Sequence, residues 1–314
     1  MHRSANKLII LGVLLLSACS PTRTATPTSV PIPQVTPAPD PLPTTVYKQP
    51  SFLAKIIDQV FSNKNSLPTP DQILADGQKV AESAHLEFYM EKNYAPLDII
   101  WWQQQAEQIY GDVSERIDTS LSTKIIVAFL QPLTGNCAPR GITYHEQEPM
   151  ILIFADQDTN REQVLAAFAH ELGHAFLHQK FEGSGDVALN EGLATWAAGN
   201  YWLAWKGMSF DDSVRLYINN GTYLPLFQNY DLSQAYEDTP GCLTQRDTLL
   251  TELASFMDYL IRIFGIEKLD ELFKVQEPEL TGAQYVIYPP DYKGVYGFEF
   301  NQLEIAWLIS LYGK

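Results

Sequence analysis

His170-Glu171-Leu172-Gly173-His174 sets two histidines four residues apart, with an acid directly after the first. Positions i and i+4 share a face only in an α-helix, so this stretch has to be helical for the two imidazoles to act together. Two imidazoles on one face can share a divalent ion, and zinc suits nitrogen ligands. Glu171 lies off the histidine face but within reach of a water on such an ion. A third ligand must come from a second element packed against the first. Glu191, in Leu189-Asn190-Glu191-Gly192-Leu193-Ala194, is the candidate, because an unpaired carboxylate inside an apolar helix is costly. Gly173 is expected to leave room beside the ion. His178 stands eight residues after His170, about 12 Å of helix rise. One ion with bonds of roughly 2 Å cannot reach both ends of that span, so His178 is expected at the surface or behind the ligands rather than among them.

The front of the chain reads as an address. Arg3 and Lys7 precede the apolar run Leu8–Leu16, which is short for a membrane span and has the form of a secretory leader. Leu16-Ser17-Ala18-Cys19 resembles the bacterial lipobox, in which the cysteine becomes the lipidated first residue. Residues 1–19 are therefore expected to be a lipoprotein signal peptide with Cys19 as the lipidation site. Residues 20–50 are rich in Pro and Thr, bury little apolar surface and read as a disordered tether. The expected location is the extracytoplasmic side of a membrane, with the lipid as anchor.

Residues 51–314 suffice for one large domain with a substantial core. A net charge of −16 leaves nothing to neutralise phosphates, so nucleic acid is not an expected partner. Cys137 and Cys242 remain beyond Cys19, and an isolated pair in an exported chain is expected to form a disulfide.

Periodicity places short helices over 51–61 and 71–84, a strand at 85–89 and a long amphipathic helix over 96–117. Strands follow at 124–130 and 150–154, with a short edge strand at 142–145 flanked by Glu146 and Glu148. Thr159 and Glu162 form a capping box for a helix through the histidines to Phe181. Gly183-Ser184-Gly185 breaks the chain before a helix from Val187 toward Trp205, and a late helix spans 248–264 and stops at Gly265. Strands first and helices later argue an α+β fold, a small mixed sheet followed by a mainly helical part.

The histidine motif followed by Asn190-Glu191-Gly192-Leu193-Ala194 resembles the gluzincin metallopeptidases. It is most similar to their aminopeptidase N branch and to the peptidase MA-like domains of exported bacterial proteins. Ala254-Ser255-Phe256-Met257-Asp258-Tyr259-Leu260 resembles the closing helix of those domains. The resemblance implies a zincin-like domain over residues 51–314 that cleaves peptides or proteins. His170, His174 and Glu191 would hold Zn2+, and Glu171 would be the general base that acts on the zinc-activated water. Three protein ligands leave one coordination position for solvent, as catalytic rather than structural zinc requires.

One role departs from the pattern. A tyrosine that stabilises the oxyanion is expected just before the closing segment, where this chain has Leu250. Tyr217, Tyr223, Tyr230 and Tyr236 lie in the preceding segment and are candidates to replace it. Without such a donor, the alternative is a metal-binding peptidase relative of low or no activity that holds peptides or proteins at the surface. In gluzincins an edge strand binds extended peptide by strand addition, and the strand at 142–145 is the candidate here.

Overall fold

Two strands buried on both faces organise the molecule. A computed structural model describes residues 67–91, 98–145, 149–181, 186–230, 232–274, 280–281, 284–285 and 290–313, all within one unit, Tyr47–Lys314. The leader with Cys19, the tether, the helix expected over 51–61, Glu146, Glu148 and the turn Gly183-Ser184-Gly185 lie outside the described residues. Among the described residues no helix is long and apolar enough to cross a membrane.

The chain opens with α1 (Pro70–Asp76), β1 (Gln78–Glu82), β2 (Leu86–Met90) and α2 (Ile99–Ile117). Next come β3 (Ile125–Leu130), β4 (Gly141–Tyr144) and β5 (Met150–Phe154). The five strands form one sheet in the order β1-β2-β3-β5-β4. β2, β3 and β5 run parallel, and β1 and β4 pair antiparallel at the two edges. Every residue of β3 and β5 is buried. Val127, Phe129, Ile151 and Ile153 face the main helical core, while Ile126, Ala128, Leu152 and Phe154 face a smaller core closed by Ile73 of α1. Both faces are covered, and the unbroken apolar runs of these strands follow from that.

The remainder is helical: α3 (Arg161–Phe181), α4 (Val187–Lys206), α5 (Phe210–Asn220), α6 (Leu226–Asn229), a 3-10 turn (Ser233–Tyr236), α7 (Cys242–Phe264) and α8 (Ile266–Lys274). A two-strand ribbon (β6, Leu280–Thr281; β7, Gln284–Tyr285), α9 (Tyr292–Tyr296) and α10 (Phe300–Ser310) complete the chain. The fold is α+β, a five-stranded mixed sheet followed by a mainly helical part.

Three of the boundaries that differ from expectation have a local cause. The helix expected over 71–84 ends at Asp76, because the backbone turns extended at Gly77 and residues 78–82 pair with β2 instead. Strand pairing with a sheet edge outweighs local propensity there. The cap of α3 is Asn160, whose Oδ1 accepts the Gln163 N–H at 2.8 Å, and Thr159 is instead engaged with Asp156. Helix α7 starts at Cys242, after a left-handed Gly241 (φ 87°), rather than at Thr248.

Candidate metal centre

The site rests on the packing of α3 against α4. At Gly173 a Cβ would lie 2.8 Å from Ala194 Cα and 3.0 Å from Ala194 O. The missing side chain admits the neighbouring backbone, and that approach brings Glu191 beside the histidines. Helix α4 is started by Asp186, buried, whose Oδ1 accepts the Leu189 N–H at 2.7 Å and the Tyr230 hydroxyl at 2.9 Å. Burial pushes the Asp186 carboxyl up to about 7.

Three ligand atoms converge. His170 Nε2 lies 3.0 Å from His174 Nε2 and 3.2 Å from Glu191 Oε2, and His174 Nε2 lies 3.7 Å from the same oxygen. Tetrahedral ligands with bonds of 2.0–2.1 Å stand about 3.3 Å apart, so the observed triangle has the dimensions of one face of such a site. The tautomer of His170 also follows. Thr195 Oγ1 donates its one hydrogen to Glu191 O at 2.8 Å, so at 3.1 Å from His170 Nδ1 it accepts. His170 therefore carries its proton on Nδ1 and turns the Nε2 lone pair toward His174 and Glu191, the arrangement metal-binding histidines adopt. Donor type, spacing and tautomer fit a divalent metal, and these three residues form a group that could hold one. Burial opposes charge on Glu191, but the neighbouring His174 holds its carboxyl well below the usual range. Burial likewise opposes charge on His174, and Glu191 carries it upward.

Glu171 is buried and lies against the edge strand. Its Oε2 is 2.7 Å from Thr143 Oγ1, and a Cβ on Gly141 would meet its Cγ at 2.5 Å. The strand expected at 142–145 is β4, at the sheet edge, and Gly141 and Thr143 turn toward Glu171. His178 stands apart from the ligand group, its ring stacked on His145 with centroids 4.3 Å apart.

The four candidate tyrosines separate clearly. Tyr223 donates to Glu304 at 2.6 Å and Tyr230 to Asp186, and Tyr217 lies against Thr251. Tyr236, from the 3-10 turn, is hydrogen-bonded to Glu191 and feels the charge of Glu171. Burial and then Glu191 push its phenol well above its ordinary value, so it remains a protonated donor. Its ring lies 5.6 Å from the Arg246 guanidinium. Cys137 and Cys242 are joined by a disulfide with Cα atoms 5.2 Å apart.

Sequence reasoning singled out the histidines and both glutamates and carried Tyr236 only as one of four. It missed Thr195, Thr143, Gly141 and Arg246. Their spacing to the motif carries no period, and only the packed fold brings them near it.

No family model matches the chain, and no curated protein matches it. Among solved structures it is similar to an M1 zinc metallopeptidase from Deinococcus radiodurans. A mutant of that protein bound to a Tyr-Ser-Ala substrate matches at 13% identity and a TM-score of 0.39, over 71% of this chain and 47% of that one. The mutant alone matches at 16% identity and a TM-score of 0.39, over 73% and 49%. The non-mutant form matches at 16% identity and a TM-score of 0.38, over the same shares. This chain thus spans about half the length of the structures it matches.

Proposed function

We propose that this protein is a zinc-dependent peptidase, held outside the cytoplasmic membrane by a lipid on Cys19 and the tether behind it. The observation that carries the reading is the convergence of His170, His174 and Glu191, with Glu171 braced beside them. Zinc follows from the two-nitrogen, one-carboxylate donor set. When bound, it supplies Lewis acidity and lowers the pKa of a water molecule.

The protein's own residues do the rest. Glu171 takes the proton of the attacking water and passes it to the leaving amine. Thr143 fixes which way that carboxylate faces. Tyr236 fills the role for which Leu250 stands vacant. Its hydroxyl, which donates its one hydrogen to Glu191 in the resting site, turns that hydrogen to the oxyanion as charge develops there. The outer edge of β4 pairs with extended peptide and so presents the scissile carbonyl alongside Glu171.

The test is hydrolysis of a mixed peptide library by the wild type with zinc, by the wild type with chelator, and by Glu171→Gln. Cleavage that chelator and Glu171→Gln both abolish is expected. Stoichiometric zinc with no turnover would replace this reading with that of a peptide-binding relative.

A further inference from the structure

Tyr236 sits on a short turn, and a 3-10 turn of four residues has little rigidity of its own. What fixes it is the start of α7. The disulfide joins Cys242, the first residue of α7, to Cys137 in the loop between β3 and β4. Arg246, one turn on and buried, donates through both terminal nitrogens to the same loop, to Cys137 O at 3.2 Å and Ala138 O at 3.1 Å. The guanidinium so placed lies toward the Tyr236 ring. Asn136 N–H donates to Asp238 Oδ1 at 2.8 Å, a further tie between the two segments. The next residue of α7 continues the pattern, since Asp247 receives both terminal nitrogens of Arg140, at 2.7 and 3.0 Å. Arg140 precedes Gly141, which packs on Glu171.

We infer that Arg246 and the Cys137–Cys242 bridge are a clamp that positions Tyr236 at the metal centre, so that the site is fully assembled only while the bridge is closed. The inference rests on the peptidase reading for the purpose of the tyrosine, but not for the clamp itself. Arg246 is a positioning residue, acting through Tyr236. Opening the bridge requires an external dithiol, which is oxidised to its disulfide as Cys137 and Cys242 each gain a proton and an electron. Activity then becomes conditional on an oxidising surrounding, as an extracytoplasmic address would provide.

The test compares full-length Arg246→Gln, Arg246→Lys, and the paired change Cys137→Ser with Cys242→Ser, each with and without Tyr236→Phe. Three quantities are read: kcat against KM, zinc affinity by chelator competition, and amide hydrogen exchange over residues 232–241. Arg246→Gln and the paired serine variant are expected to lose about 10²-fold in kcat, the cost of one oxyanion donor. KM should stay within about threefold. Arg246→Lys, which keeps the charge but not the fork, falls between them and the wild type. Adding Tyr236→Phe should cost nothing further, and exchange over 232–241 should rise. Losses that multiply with Tyr236→Phe, or unchanged exchange, overturn the clamp. If the serine pair does not fold, Arg246→Gln with the bridge intact decides. If the wild type cleaves no peptide, the peptidase reading fails alone and exchange judges the clamp: a rise supports it and no change overturns it.

Discussion

Replacing Gly141 with alanine should disable the site without dismantling the protein. The added Cβ would lie 2.5 Å from Glu171 Cγ, 2.8 Å from Oε1 and 3.0 Å from Cδ. Carbon atoms rest at about 3.5–4.0 Å, so one partner must give way by about 1 Å. The strand cannot retreat easily, because β4 is paired with β5 from Gly141↔Ile153 to Tyr144↔Met150. Glu171 is the partner that moves, and moving it strains the 2.7 Å bond to Thr143. A displacement of about 1 Å at a reacting group costs on the order of 10²-fold in rate. That equals about 2.7 kcal/mol of barrier. The assay is kcat on the best library peptide, alongside zinc content and a thermal melt. The expected result is a rate about a hundredfold lower, with full zinc content and an almost unmoved melting temperature. A variant with wild-type kcat and full zinc would show that Glu171 tolerates the displacement and is not the positioned base.

Three further outcomes follow from other parts of the structure. Glu252 is fully buried with Oε2 unpartnered, and burial pushes its carboxyl up to about 9 from an ordinary 4.5. The folded state therefore holds a proton that the unfolded chain releases, so stability declines as pH rises from about 4.5 to about 9. Glu252→Gln should add about 3 kcal/mol at pH 7 and flatten that decline in denaturant melts at several pH values; an unchanged slope would contradict it. Gly173→Ala forces a methyl to within 2.8 Å of Ala194 Cα, and should cost about 1–3 kcal/mol and weaken zinc binding in chelator competition. Wild-type values for both would show that α3 and α4 need no such approach. Zinc at a hundred times its Kd should stabilise the wild type by about 2.7 kcal/mol, read as a rise in melting temperature. Glu191→Ala should lose most of that rise, and an equal rise in that variant would remove Glu191 from the ligand set.

Where sequence reasoning worked, the signal was local. β3 and β5 declared themselves by unbroken apolar, β-branched runs, and α3 and α4 by the four-residue histidine spacing and the breaks that bound them. It failed where a neighbour decided. Residues 78–82 carry no strong strand pattern, and they are a strand because β2 offers an edge. Thr159 and Asn160 are both good caps, and the choice fell to Asn160 once Asp156 engaged Thr159. Among four tyrosines nothing in the sequence marks Tyr236, because its distinction is proximity to Glu191.

Residue types and their spacing already specified the donor groups available here: two imidazoles and an adjacent carboxylate on one helix, and a second carboxylate on the next. The 3.6-residue period converts spacing into a shared face without reference to the rest of the chain. Everything that crosses between elements was left to the tertiary structure. The contact of Gly173 with Ala194, the bond from His170 to Thr195, the brace of Thr143 on Glu171 and the seat of Tyr236 all depend on how separate segments pack. Packing is set by complementary shape over the whole core, and shape of that kind is not written at any single position.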